Sequence, residues 1–207
     1  MRDDGRNGGR SRVAPVRRRT AAVALFVAAG VAGLALAACG DATGPAASAP
    51  VGVRTFEGLS KNHVEQPVDY DRQPPVGGDH AATWQDCGVY DSPIVTEFGV
   101  HSMEHGAVWV TYRRDAPGPE RKALQELVAG QPYVLLSPWA GALPAPVVAS
   151  AWGRQLQVDS AADPQLAAFI EAFRQGPQTP EPGAPCTGGQ GPRTPVVAAL
   201  PPGGDRP

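Results

Sequence analysis

From residue 107 onward the chain alternates between runs that suit a sheet and runs that suit a helix. Residues 107–112, Ala-Val-Trp-Val-Thr-Tyr, are dense in β-branched and aromatic side chains and predict a strand. Pro119 then opens a helix over 120–129, with Leu124, Leu127 and Val128 spaced for one buried face and Gly130 as its stop. Residues 133–136 read as a second strand, ended by Ser137-Pro138. A third strand falls within 147–158, centred on 151–158, although Gly153 interrupts its pattern. Asp163-Pro164 caps a second helix over 165–174, whose Leu166, Ile170 and Phe173 recur at helical spacing. The order β-α-β-β-α predicts a small α+β domain with a mixed or antiparallel sheet and two helices, and one further strand would make it ferredoxin-like. Residues 62–100, by contrast, carry many prolines and glycines and predict a long extended loop region.

The start of the chain has a different pattern. Arg10, Arg12 and Arg17-Arg18-Arg19 precede an apolar run over 21–38 that ends in Leu36-Ala37-Ala38-Cys39, the grammar of a secretory signal. Those last four residues resemble a bacterial lipobox, which makes Cys39 the lipid-modified first residue of the mature chain. An uncleaved anchor is the rival reading, because the run is near the lower limit of about 18 residues for a spanning helix. Both readings put the chain on the extracytoplasmic face of the cell membrane, with the membrane as one partner and an extracytoplasmic protein as a possible second. The expected layout is a signal peptide over 1–38, a tether over 39–55, one domain over 56–186 and a disordered Pro/Gly-rich tail over 187–207. Without residues 1–38 the chain keeps 11 basic and 18 acidic residues, a net charge of -7 with histidine neutral. No basic footprint for nucleic acid remains.

After Cys39 two cysteines are left, Cys87 and Cys186. In an oxidising compartment they are expected to form one disulfide that ties the C-terminal segment back to the middle of the chain. The competing role, Cys87 as a ligand or nucleophile near His80, requires it to stay reduced.

All four histidines lie between His63 and His105, and Met103, the one methionine besides the initiator, sits in His101-Ser102-Met103-Glu104-His105-Gly106. Imidazole and thioether bind soft or borderline metals. On a helical turn the side chains of His101 and His105 share a face, whereas an extended chain would hold them about 13 Å apart, so a metal site here requires a turn. His80 is the third candidate ligand, presented by Pro74-Pro75 and a reversal at Gly77-Gly78. His63 is the fourth, with Met103, Glu104 and Asp79 as alternates. Three imidazoles with a thioether suit copper in an oxidising compartment; three imidazoles and water suit zinc. The same six residues contain His-x-x-Glu-His, in which Glu104 would be the catalytic base of a zinc hydrolase. Gly99 and Gly106 bracket that motif and leave it fewer than two helical turns, where such enzymes use a long helix. In the plainer reading Glu104 and Asp79 orient the neighbouring imidazoles, and the histidines serve only as hydrogen-bonding groups. Trp109 is expected in the core, with a binding groove as its alternative setting.

Several blocks in order carry a resemblance: His63; Tyr70 followed by Pro74-Pro75-Val76-Gly77-Gly78-Asp79-His80; Gly88-Val89-Tyr90; and Val100-His101-Ser102-Met103-Glu104-His105-Gly106-Ala107-Val108. They resemble DUF3105, a domain of unknown function found in bacterial secreted and membrane-anchored proteins, with patterns Pro-Pro-x-Ser-Gly-x-His and His-x-x-Glu-His-Gly. The resemblance covers 56–173, and Gly77 stands where serine is usual. It implies that the two histidine blocks belong to one site, and it implies no activity. The leading expectation is a membrane-tethered domain that binds copper through His80, His101 and His105 for capture or delivery. A metal-free binding or assembly module and the zinc hydrolase are the alternatives.

Overall fold

The strand over 108–112 is buried along its whole length and forms the middle of the sheet. The structure is a computed structural model that describes residues 50–191. The signal segment, Cys39 and residues 192–207 lie outside the described residues. In chain order the elements are β1 (Arg54–Thr55), β2 (Gly88–Val89), α1 (Thr96–Glu104), β3 (Val108–Tyr112), α2 (Gly118–Val128), β4 (Val134–Pro138), β5 (Val147–Ala151), β6 (Arg154–Val158) and α3 (Pro164–Phe173). They build one six-stranded mixed sheet, ordered β1-β6-β5-β3-β4-β2. The class is α+β, as the pattern predicts.

The strands differ from the sequence reading in two details. The single strand expected in 147–158 is a hairpin, β5 and β6 pairing antiparallel around Trp152-Gly153. Gly153 therefore marks a turn: its N–H donates to the Val76 carbonyl at 2.7 Å and its carbonyl accepts from Phe56 at 2.9 Å. The ferredoxin-like arrangement is also corrected. It splits its β-α-β units with an intervening strand, whereas β3 and β4, joined by α2, are parallel hydrogen-bonded neighbours.

Alternation along the strands separates two unlike faces. Val108, Val110, Leu136, Ala149 and Leu156 point to one side, where Leu124 and Val128 of α2 and Leu166, Phe169 and Ile170 of α3 complete an apolar core. Pro164 and the Asp163 carboxylate, which accepts from the Gln165 N–H at 2.8 Å, start α3 as expected. Trp109, Leu135 and Val148 point to the other side and meet Val100 and Met103 of α1, with Trp139, Trp152 and Cys186. Trp109 is fully buried, and its indole N–H donates to Ser137 Oγ at 3.0 Å, which settles it in the core and not in a groove.

The third helix, α1, replaces part of the expected loop. It begins at Thr96 and runs through Gly99, so that glycine does not bound it. A Cβ on Gly99 would stand 2.7 Å from Cζ3 of Trp109, so glycine here lets the helix lie directly on β3. Glu97 accepts from the Val68 N–H at 2.9 Å, and Ser102 Oγ exchanges hydrogen bonds with the backbone of Gln85. Cys87 and Cys186 form the expected disulfide, with Cα atoms 5.4 Å apart. Residues 187–191, assigned by sequence to the tail, run beside Trp84 to Asp86, where Gln190 bridges to Gln85. Among the described residues no helix is long and apolar enough to cross a membrane.

Candidate metal centre

The loop region and α1 bring the histidines together on the second face of the sheet. Gly77 and Gly78 adopt φ of 133° and 115°, a reversal that delivers His80 beneath the chain at His63. There His80 N–H donates to the Asn62 carbonyl at 3.0 Å, and the Val64 N–H donates to the His80 carbonyl at 2.7 Å. On α1, successive side chains are about 100° apart, so residues 101, 104 and 105 share a face and residue 103 points the other way. His105 is the residue after the last turn and keeps helical backbone geometry. The turn that a metal site requires is therefore present.

One ligand atom each from His63, His80, His101 and Glu104 lies within 4.8 Å of all the others. His80 Nε2 stands 2.9 Å and His63 Nε2 3.6 Å from the same carboxylate oxygen of Glu104. The ring centroids of His63, His80 and His101 are 4.8 to 4.9 Å apart in each pair. A tetrahedral ion with bonds of about 2.1 Å holds its ligand atoms about 3.4 Å apart, so the set must contract by about 1.4 Å at its widest. This group can hold a metal ion.

Hydrogen bonds set the chemistry of the rings. Nδ1 of His80 lies 2.8 Å from the Gly78 carbonyl, Nδ1 of His101 lies 2.6 Å from that of Ala81, and Nδ1 of His105 lies 2.7 Å from that of Pro185. A carbonyl only accepts, so all three rings carry a proton on Nδ1. In the neutral rings each Nε2 then presents a lone pair. Those lone pairs face other acceptors: His80 Nε2 meets the Glu104 carboxylate, and His101 Nε2 meets His105 Nε2 at 2.9 Å. Each contact needs a shared positive charge, supplied by a proton or by a metal. Burial pushes the His101 pKa down to about 4; the Ala81 carbonyl opposes this, and the neighbouring imidazoles His105, His80 and His63 add to it. His101 therefore resists the second proton at neutral pH and keeps its lone pair for a Lewis acid. Imidazoles anchored on a backbone carbonyl through one nitrogen, with the other turned toward a shared centre, are typical of metal ligands.

The remaining candidates fall outside this group. His105 touches it through His101, and the same Nε2 stands 3.5 Å from a carboxylate oxygen of Glu181. The Trp84 ring covers His105 at 5.0 Å. Met103 as a ligand is corrected: helical geometry points it into the apolar cluster with Val100 and Trp109, where it is fully buried. The Asp79 carboxylate takes Ser60 Oγ and the Asn62 amide and holds the approach to His63. Cys87 is in its disulfide and offers no thiolate. Glu104, cast as the base of a hydrolase, stands among the ligands in contact with His80. His105, its partner zinc ligand in that motif, lies outside the four. Glu181 and Trp84 were missed in the sequence; Glu181 falls in a Pro/Gly-rich stretch, and only the expected disulfide hinted that this stretch returns to the site.

Comparison with curated proteins and with solved structures finds no match. The profile of a family described as "Protein of unknown function (DUF3105)" matches residues 63–188, which takes in every histidine, Glu104, both disulfide cysteines and Glu181. The chain therefore belongs to the DUF3105 family.

Proposed function

We propose that this domain captures a divalent transition-metal ion through Nε2 of His63, His80 and His101 and a carboxylate oxygen of Glu104, with copper(II) favoured and zinc the alternative. The observation that carries this reading is the convergence of buried imidazole nitrogens whose lone pairs are left facing acceptors because backbone carbonyls hold the opposite nitrogens. Three imidazoles and a carboxylate suit divalent ions. With Met103 in the core, the soft donor that would favour copper(I) is gone, and among divalent ions copper binds such a set most tightly. The role is capture and delivery. Lipid-modified Cys39 tethers the domain to the extracytoplasmic face of the cell membrane, its acidic mature surface concentrates cations, and an extracytoplasmic protein receives the ion.

Metal analysis of the purified chain, expressed with copper and zinc, tests the reading. One equivalent of metal in the native chain and none in His80→Ala/His101→Ala is expected. A folded native chain that holds no metal refutes it.

A further inference from the structure

The four ligands are held very differently. His80 and His101 are buried, and each ring is fixed by a bond from Nδ1 to a carbonyl. Glu104 is buried on α1, which Ser102 locks to the backbone of Gln85. The side chain of His63 is 46% exposed, and among the described residues no carbonyl takes its Nδ1. The ring lies nearly parallel on His101, with centroids 4.8 Å apart and planes at 20°. Such stacking is worth about 0.5–1.5 kcal/mol, so the ring can swing outward at little cost. Its backbone stays in place meanwhile, because the bridge to His80 uses main-chain atoms.

We propose that His63 is the exchangeable ligand of the centre. The ion enters and leaves on the His63 side, and an external imidazole-type nitrogen donor replaces His63 while His80, His101 and Glu104 stay bound. This deepens the metal reading and rests on it. The exchange is a ligand substitution: the lone pair of the incoming nitrogen forms a bond to the ion as the bond from His63 Nε2 breaks. No electron is transferred, and the protons on both imidazoles stay where they are. Three fixed protein ligands and one replaceable position are the arrangement that keeps a metal accessible, whereas four fixed ligands close it off. The acceptor that fits is a protein presenting a histidine side chain at its surface.

The test uses the full chain loaded with one equivalent of copper(II), with free imidazole as the probe. His63→Ala is expected to retain one copper per chain and to release it to a chelator about 10- to 100-fold faster than the native chain. Added imidazole should coordinate that copper, restoring an additional nitrogen in the electron paramagnetic resonance spectrum and slowing release. His80→Ala should lose stoichiometric copper altogether. Loss of copper from His63→Ala as complete as from His80→Ala overturns the proposal, and so does failure of imidazole to add a nitrogen. A native chain that takes up no copper or zinc overturns the metal reading itself, and the proposal with it.

Discussion

Gly99→Ala tests whether α1 is seated as described. Replacing a helical glycine by alanine stabilises an unobstructed helix by about 1 kcal/mol. Here the added Cβ would stand 2.7, 2.9 and 3.0 Å from three atoms of the Trp109 ring. Carbon atoms prefer about 3.5–4.0 Å, so helix and ring must separate by roughly 1 Å. Trp109 cannot yield easily: its N–H is bonded to Ser137, Trp139 packs edge-on at 5.5 Å, and the ring sits on the central strand. Overpacking costs about 1–3 kcal/mol, and against a ring held this firmly the upper part of that range, about 2–3 kcal/mol, applies, so the variant is expected to be destabilised by roughly 1–2 kcal/mol after the helical gain. For a domain of this size that lowers the melting temperature by about 3–8 °C, readable by far-UV circular dichroism. The displacement also carries His101 and Glu104 away from His80, so metal affinity should fall with stability. Trp109→Phe removes the obstructing ring edge, and combined with Gly99→Ala it should cost less than the two changes summed. A melting temperature equal to or above the native value in Gly99→Ala, or strict additivity in the pair, refutes the packing described.

Three further outcomes follow from the same geometry. The His101 pKa is about 4 folded against 6.5 unfolded, so the unfolded chain binds the proton first as pH falls. Stability of the metal-free protein is full above about pH 6.5 and lost progressively down to about pH 4, by roughly 3 kcal/mol; urea midpoints across that range check it, and a His101→Gln profile as steep as the native one counts against it. Met103→Leu keeps volume in an apolar cluster, so it should cost less than about 1.5 kcal/mol and leave the metal stoichiometry unchanged; loss of bound metal would return the thioether to the ligand set. Cys186→Ser opens a loop spanning 99 residues, worth up to about 4.7 kcal/mol of chain entropy, and a variant with native thermal stability would show that the segment is held without the bond.

The sequence was most legible where burial is one-sided. In α2 only Leu124 and Val128 are buried against an otherwise solvated helix, so the apolar spacing stands out. In α1, by contrast, Glu97, His101, Ser102 and Glu104 are buried along with Gly99, Val100 and Met103. A helix buried on nearly every side leaves no polar face to set a period, and its glycine looks like a boundary. The β5–β6 hairpin was obscured by its tight turn, because Trp152-Gly153 puts only one turn-forming residue between the two strands. The histidines were legible as a group because they are rare and clustered, but their pairing was not. His63 meets His80 through a backbone bridge, and His105 meets Glu181 through a segment folded back by a disulfide, neither of which has a local signature.

The two sides of the sheet are stabilised by different means, and this bears on what a bound ion would do. Against α2 and α3 the sheet buries apolar side chains, and cohesion there needs no specific partner. Against α1 it buries a layer in which polar groups must be matched one by one: Glu97 with Val68, Ser102 with Gln85, His101 with Ala81 and His105 with Pro185. Within that layer the contacts of His80 with Glu104 and of His101 with His105 need an added positive charge. A metal ion supplies it to the four-ligand group and frees His101 from its apposition with His105. Its stabilisation should therefore be local. Ion at about 100 times its dissociation constant adds about 2.7 kcal/mol to global stability. Beyond that shared increment, hydrogen exchange should slow most in α1 and at residues 62–64 and 80, with α2 and α3 little changed. Equal protection throughout the domain would mean that the ion binds somewhere other than this layer.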